Sequence, residues 1–210
     1  MEDDEDFTPT RPEAADVARR AAIIKCQFVY MYATPLPRSV TERQVINTSW
    51  RAEAVHCLAW ALGLVEKIPD YDVQSDPDTI MPLIRTESLR EFCMSAKLRS
   101  SDEIEDAREI AELWHWRSRT RQLQQEGRVR PDGEPSFDQI VRQVAPRMAA
   151  EGMLPSTVEE DFPVLGRAYR DLSDGDWFGA RSIAMERHFA LNWLCGYAEG
   201  NEWDETPTDT

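Results

Sequence analysis

Two of the three histidines share a spacing that could do chemistry. Each follows a glutamate by three positions, as Glu53-x-x-His56 and Glu112-x-x-His115. On a helix, residues three apart share a face, so each pair places a carboxylate beside an imidazole. Two such pairs, with a Glu from each of two further helices, hold the metals of carboxylate-bridged bundles. The candidate ligands of a divalent metal are therefore Glu53, His56, Glu112 and His115.

The same pairs fit a structural role, which we weight more heavily. Polar groups inside a helical core must be hydrogen-bonded, so a buried Glu–His or Glu–Arg pair ties helices together. Arg51 is near enough in sequence to serve Glu53. On this interpretation no cofactor is predicted, and the metal remains the alternative.

A third polar set lies in the last predicted helix. Asn192 follows His188 by four positions and shares its helical face, and Glu186 lies nearby. Apolar residues surround this set, so its polar atoms need partners inside the protein or a pocket. The candidate catalytic residues, for an enzyme of undetermined activity, are Glu53, His56, His115, Glu186 and His188. Because no Ser or Cys has a histidine and an acid in a recognised pattern, the sequence leans away from an enzyme without deciding.

Trp203 is unusual because it lies in an acidic C-terminal segment. A large aromatic residue in a polar tail predicts that the tail docks back on the body. Asp204 or Asp209 would then meet an arginine or a helix N-terminus. The predicted structural polar network comprises Arg51, Arg99, Glu103, Asn192, Trp203, Asp204 and Asp209.

The formal charge of −15 is concentrated at the two ends. Residues 1–16 hold seven acids and 199–210 hold five, which leaves the body nearly balanced. Acidic ends repel phosphate backbones, so we expect no nucleic-acid partner and favour a basic protein partner. The one basic cluster is predicted to be a solvated helix end, with a phosphate-facing patch as the alternative: Arg117, Arg119, Arg121, Arg128 and Arg130.

The four cysteines and the apolar runs indicate the cellular compartment in which the protein is expected. The cysteines lie far apart and form no CxxC pair, which favours free thiols in a reducing cytoplasm. The longest apolar run, 21–33, is too short to span a bilayer, so no membrane association is expected.

Helix signals dominate the elements that position these residues. Capping boxes are predicted for Thr10 to Glu13, Ser39 to Glu42 and Ser100 to Glu103, and N-caps for Asp76 and Ser136. A central buried helix is expected from about Trp50 to Val65, and a last helix ends before Gly196. We predict an all-α, single-domain irregular helical bundle of about seven to nine helices with acidic, disordered or docked termini. Its parts are an acidic flexible N-terminus (1–10), one helical domain (11–200) and a docking tail (201–210).

Several stretches form longer motifs. They are Trp50–Ala54, Trp60–Gly63, Leu98-Arg99 with Glu103-Ile104, His115-Trp116, Asp161–Leu172, Ser182–Leu194 and Trp203–Thr210. Together they resemble a bacterial family known as domain of unknown function 4272, from about residue 45 to the last residue. The resemblance implies no activity, ligand or cofactor. It also implies that Glu112 is peculiar to this chain, because members tend to have Tyr-Arg-Leu at 112–114.

Three functions remain open from the sequence. The first is a non-enzymatic interaction module, such as an immunity or antitoxin-like protein, which acidic ends would steer to a basic partner. The second is an enzyme with a buried carboxylate and histidine site. The third is a structural subunit that forms a homodimer through its Trp-rich helices.

Overall fold

The structure, a computed structural model, describes residues 9–32 and 41–208. Within them are seven α-helices and one two-stranded sheet, so the all-α prediction is confirmed. The α-helices are α1 (Ala14–Met31), α2 (Glu42–Ala61), α3 (Pro77–Ile80), α4 (Leu89–Ser95), α5 (Ser101–Gln125), α6 (Phe137–Ala150) and α7 (Asp174–Leu194). The strands are β1 (Pro163–Val164) and β2 (Arg167–Ala168). Short 3-10 helices occur at Met81–Leu83, Tyr169–Asp171, Glu199–Asn201 and Trp203–Glu205.

The described residues form two compact units. The first lies within 9–68, 75–108 and 186–208, and the second within 69–74 and 109–185. The predicted single domain over 11–200 stays a prediction. Of the predicted flexible N-terminus (1–10), residues 1–8 lie outside the described residues. Asp209 lies outside them as well.

In the first unit, α1 packs on α2 and on α4. Small side chains allow the close approach of α1, where Val17, Ala18 and Ala21 are fully buried. From α2, Val55 and Leu58 are fully buried as well. This apolar core holds the middle of α2, and therefore the residues near Glu53, in fixed positions.

The second unit has an aromatic core. Tyr71 stacks on Trp114 with ring centroids 5.0 Å apart, and Phe162 meets Trp114 edge-on at 5.2 Å. The strands β1 and β2 pair antiparallel across Leu165 and Gly166, both with positive φ, as a tight hairpin turn requires.

Several predicted helix ends are confirmed and two are wrong. Ser100 with Glu103 forms a capping box, and Asp76 and Ser136 cap as expected. The central helix predicted from about Trp50 to Val65 starts earlier and ends earlier, because α2 runs unbroken from Glu42 to Ala61. Its capping box is formed by Thr41 and Gln44, and the predicted cap residue Ser39 lies outside the described residues. Glu13 is the N-cap of α1 but makes no side-chain capping bond.

Among the described residues, no helix is long and apolar enough to cross a membrane.

Candidate functional site

Glu53 lies on α2, fully buried, at the centre of a polar cluster in the first unit. The Ser75 backbone N–H donates to Oε1 at 2.7 Å, and the Ser75 hydroxyl donates to Oε2 at 2.8 Å. Arg187, also fully buried, donates from Nε to Oε2 at 2.8 Å and places Nη2 2.8 Å from the same oxygen. These contacts satisfy both carboxylate oxygens, so Glu53 joins α2 to the second half of α7 and to the segment that leads into α3.

Glu186 adds a second ion pair beside the first. Its Oε2 lies 3.2 Å from Nη1 of Arg51, whose side chain is about one-third exposed. Burial raises the pKa of Glu186, Arg51 lowers it, and the charge of Glu53 raises it further. Glu186 is therefore a weaker acid than a surface glutamate, while its partner still reaches water.

His56 lies one helical turn after Glu53 on α2. Its Nε2 is 3.1 Å from the Lys67 carbonyl oxygen, to which a neutral imidazole donates. Nδ1 is buried and has no hydrogen-bond partner among the described residues. Burial is the main cause that lowers the His56 pKa, so the ring is neutral and keeps one unused lone pair.

His188 and Asn192 are buried on α7. Asn192 Nδ2 donates to the Pro207 carbonyl oxygen at 2.8 Å. Trp203 is buried and meets Trp193 edge-on, with ring centroids 5.1 Å apart. The contacts of Asn192 and Trp203 hold the tail against α7, whereas Asp204 is exposed.

Arg99, which the sequence assigns to a polar network, binds the C-terminal end of α2. Its Nε donates to the Trp60 carbonyl oxygen at 2.8 Å, and Nη2 donates to the carbonyl oxygens of Val65 and Glu66 at 3.1 Å each. Nη1 reaches Glu103 Oε1 at 3.3 Å. A cation at a helix C-terminus satisfies carbonyls that lack helical partners, so Arg99 has a structural role.

Glu112 and His115 belong to the second unit, on α5. His115 is buried, and its pKa falls to about 4 because of burial first and then repulsion from Arg181 and Arg119. The two Glu-x-x-His pairs therefore lie in different units. Among residues 9–32 and 41–208, no three His, Cys, Asp or Glu side chains group closely enough to hold a metal ion. The predicted metal site stays a prediction.

The second unit also contains a buried ion pair that the sequence analysis did not identify. Arg117 donates to Asp161 through Nε at 2.6 Å and Nη2 at 2.7 Å, and both residues are buried. Backbone N–H groups of Phe162 and Arg170 also donate to Asp161. Although burial opposes it, Arg117 and these bonds lower the pKa of Asp161, which stays ionised.

The solvated helix end predicted for the basic cluster is wrong for two of its five members. Arg117 and Arg121 are buried, and Arg121 donates to the carbonyl oxygens of Tyr169 and Leu172. Both continue the stripe of Trp114 and Ser118 at helical spacing, which was the available signal. The remaining members, Arg119, Arg128 and Arg130, are exposed.

The two buried cysteines, Cys57 and Cys195, are poor nucleophiles. Burial raises the pKa of Cys57 to about 12. Burial also raises the pKa of Cys195 to about 12, and the nearby Glu105 carboxylate adds to the shift. Since the thiolate is the reactive form, both cysteines stay protonated and inert near neutral pH.

The open part of the first unit is the second half of α1, all of which is described. The fully buried residues of α1 end at Ile24, although apolar residues continue to its end. Lys25, Phe28, Val29 and Tyr32 form one stripe at spacings of three, four and seven. Val29 is 58% exposed and Tyr32 is 48% exposed.

This stripe forms one wall of a groove, which we call the α1 groove. Pro77, Met81 and Pro82, from α3 and the 3-10 helix after it, form the facing wall, and Asp78 lies at its edge. The volume is about 480 Å³. The groove is thus apolar along its length, with one acid and Lys25 as its charged groups.

The comparison with protein families agrees with part of the predicted resemblance. Neither a curated protein nor a solved structure matches the chain. The motifs from Asp161 onward lie beyond the segment that matches a family model, so their resemblance stays a prediction. Over residues 32–132, which include Glu53, His56 and His115, the chain resembles the family described as Domain of unknown function (DUF4272).

Proposed function

We propose that this protein is a non-enzymatic interaction module that holds a basic protein partner, in the manner of an immunity or antitoxin protein. The observation that carries the proposal is the exposed apolar stripe of α1, above all Val29 and Tyr32. Exposed apolar surface that is gathered into a groove marks sites of interaction. The acidic charge of −15 would speed encounter with a basic protein.

The buried carboxylates support the same proposal because they are already bonded to other groups of the protein. Glu53 is engaged by Ser75 and Arg187, and Asp161 by Arg117. A general acid or base must reach the proton that it transfers, directly or through one water. Carboxylates that are fully buried and bonded to arginines serve stability better than proton transfer.

Site-specific photocrosslinking tests the proposal. A photoreactive amino acid replaces Val29, and in a matched control it replaces Val129, which is 89% exposed in the second unit. In lysate of the source organism we expect one protein adduct from position 29, none from position 129, and loss of the adduct when excess unlabelled protein competes. An adduct at both positions or at neither contradicts the proposal.

A homodimer is distinguished by the size of the adduct. An adduct of two copies would run at twice the chain mass of 24.2 kDa. That result would replace a basic partner by a second copy of this chain.

A second candidate function is acid–base catalysis in the first unit. It is favoured by the raised pKa of Glu186 and by the unpartnered Nδ1 of the neutral His56. Burial of a small-molecule ligand beside these groups would raise the melting temperature of the natural protein but not of Glu186→Gln. A screen of carboxylate, amine and sugar ligands with no such difference removes this candidate.

A further inference from the structure

We infer that the α1 groove takes a basic amphipathic helix of the partner protein, an inference that rests on the proposed function. The stripe from Lys25 to Tyr32 spans eight residues, and the seven steps between them correspond to about 10 Å of helix. A helix that presents apolar residues at i, i+4 and i+7 covers the same length. The groove therefore matches about two turns of a helical ligand.

The walls of the groove select apolar anchors. Phe28, Val29 and Tyr32 face Pro77 and Met81 across it. None of these side chains offers a charge, and a backbone without free N–H groups at the prolines gives an extended peptide few main-chain partners. Affinity must therefore come from buried apolar side chains of the ligand, as it does for helices that bind in grooves.

The edge of the groove selects positive charge. Asp78 lies on it, and Asp76, Glu87 and Arg85 are exposed nearby, with Lys25 as the cation of the lining. The Arg85 guanidinium lies over the Phe92 ring, 5.5 Å from its centroid. The Lys25 ammonium donates to the Ile84 carbonyl oxygen at 2.6 Å and lies 3.9 Å from Glu87, so it is already engaged. A ligand with Lys or Arg beside its apolar anchors would complement the acids that remain.

The same charges disfavour a second copy of the chain as the occupant. In a two-fold dimer, the same patch meets itself, so the acids at the edge of one groove would face those of the other. Each copy also carries a net charge of −15. Repulsion between like charges opposes that arrangement. The same acidic groups attract a basic helix.

Fluorescence anisotropy with two peptide pools tests the inference. Both pools carry Leu, Phe or Met at i, i+4 and i+7 of a helical sequence, with Lys at the flanking positions in one pool and Glu in the other. We expect the Lys pool to bind about tenfold more tightly in low salt. Raising the salt from about 0.01 M to about 1 M shortens the screening length from about 30 Å to about 3 Å and should remove the difference.

Matched variants localise the binding. Val29→Asp should abolish binding of the Lys pool, and Val129→Asp should leave it unchanged. Asp78→Asn should weaken binding severalfold and reduce the salt dependence, whereas Asp132→Asn, at an exposed position of the second unit, should do neither. Equal binding by the two pools, or no binding by either, overturns the inference.

The two proposals fail separately. An adduct at position 29 without preference for the Lys pool keeps the interaction module and removes the basic helix. A dimer in sedimentation that Val29→Asp abolishes identifies a second copy as the occupant and overturns the inference. A lower melting temperature of an isolated Val29→Gln variant, which adds no charge to the end of α1, shows that a segment of the same chain covers the groove, which also overturns it.

Discussion

The cluster around Glu53 and the α1 groove are opposites within the first unit. Glu53 has the residue type of a catalytic group, but it is fully buried and bonded to Ser75 and Arg187. The groove is lined mainly by apolar side chains, and Val29 and Tyr32 are about half exposed. The contrast teaches that reactive residue types and accessibility need not coincide. We therefore expect changes at the cluster to affect stability and changes at the groove to affect binding.

The largest effect is expected from Glu53→Gln. It removes the carboxylate charge that faces the buried Arg187 guanidinium, and breaking a buried ion pair costs about 3–5 kcal/mol. Urea unfolding followed by circular dichroism measures the loss. As a control, Glu134→Gln removes an exposed i,i+4 partner of Arg130 and should cost less than about 1 kcal/mol. If both variants lose the same free energy of unfolding, the ion pair of Glu53 and Arg187 does not stabilise the fold more than a surface pair does.

His115 is expected to make stability depend on pH, by up to about 3 kcal/mol. Its pKa is about 4 in the folded protein and near 6.5 when unfolded, so the unfolded chain binds the extra proton between these values. The free energy of unfolding should therefore rise as the pH increases from 4 to 6.5 and level off above. His115→Gln should flatten this rise in urea titrations at several pH values. A variant as steep as the natural protein would contradict a neutral, buried His115.

Ser75→Ala should cost about 1–2 kcal/mol, because it removes the hydroxyl bond to Glu53 and keeps the backbone bond. Ser49→Ala is the matched control, since the Ser49 hydroxyl bonds only an exposed carbonyl of its own helix. Unfolding of both variants in urea gives the comparison. No difference between them would mean that Glu53 does not need Ser75.

Glu186→Gln sharpens the comparison inside the cluster and should cost less than about 1 kcal/mol at neutral pH. The pKa of Glu186 is raised by burial, so the folded protein binds its proton more tightly than the unfolded chain. Its contribution to stability is present below the unfolded pKa and is lost as the pH rises through the folded pKa. Replacement by a neutral amide should therefore make stability less dependent on pH above about 4. A loss as large as that of Glu53→Gln would contradict the raised pKa.

The helical fold could be predicted from the sequence because it depends on local signals. Two such signals mark helix starts, and each lies within four residues of sequence. One is the pair Ser100 and Glu103, and the other is Asp76 before Pro77. The full length of α2 was missed because its first eight residues are mostly polar, whereas the apolar run that predicts a buried helix begins at Trp50. Helical spacing among apolar residues also predicted that Glu186 and Asn192 need partners inside the protein, and the structure gives them Arg51 and the Pro207 carbonyl oxygen.

The partners of buried charges could not be predicted, because they come from distant parts of the chain. Arg187 meets Glu53 from another helix, and Asp161 meets Arg117 from an irregular segment. Local patterns carry no information on such pairing. The α1 groove was missed for a related reason: an apolar helix half looks like core in sequence, and only the fold leaves it open.

The most direct measurement compares Val29→Asp with Ser75→Ala for both stability and photocrosslinking, the label being placed at Tyr32 in each. We expect Val29→Asp to change stability by less than about 1 kcal/mol and to remove the adduct, because the side chain is exposed and only the added charge at the end of α1 is unfavourable. Ser75→Ala should lower stability and keep the adduct. If Val29→Asp keeps the adduct, or if Ser75→Ala removes it while the protein remains folded, the assignment of function to the groove is contradicted.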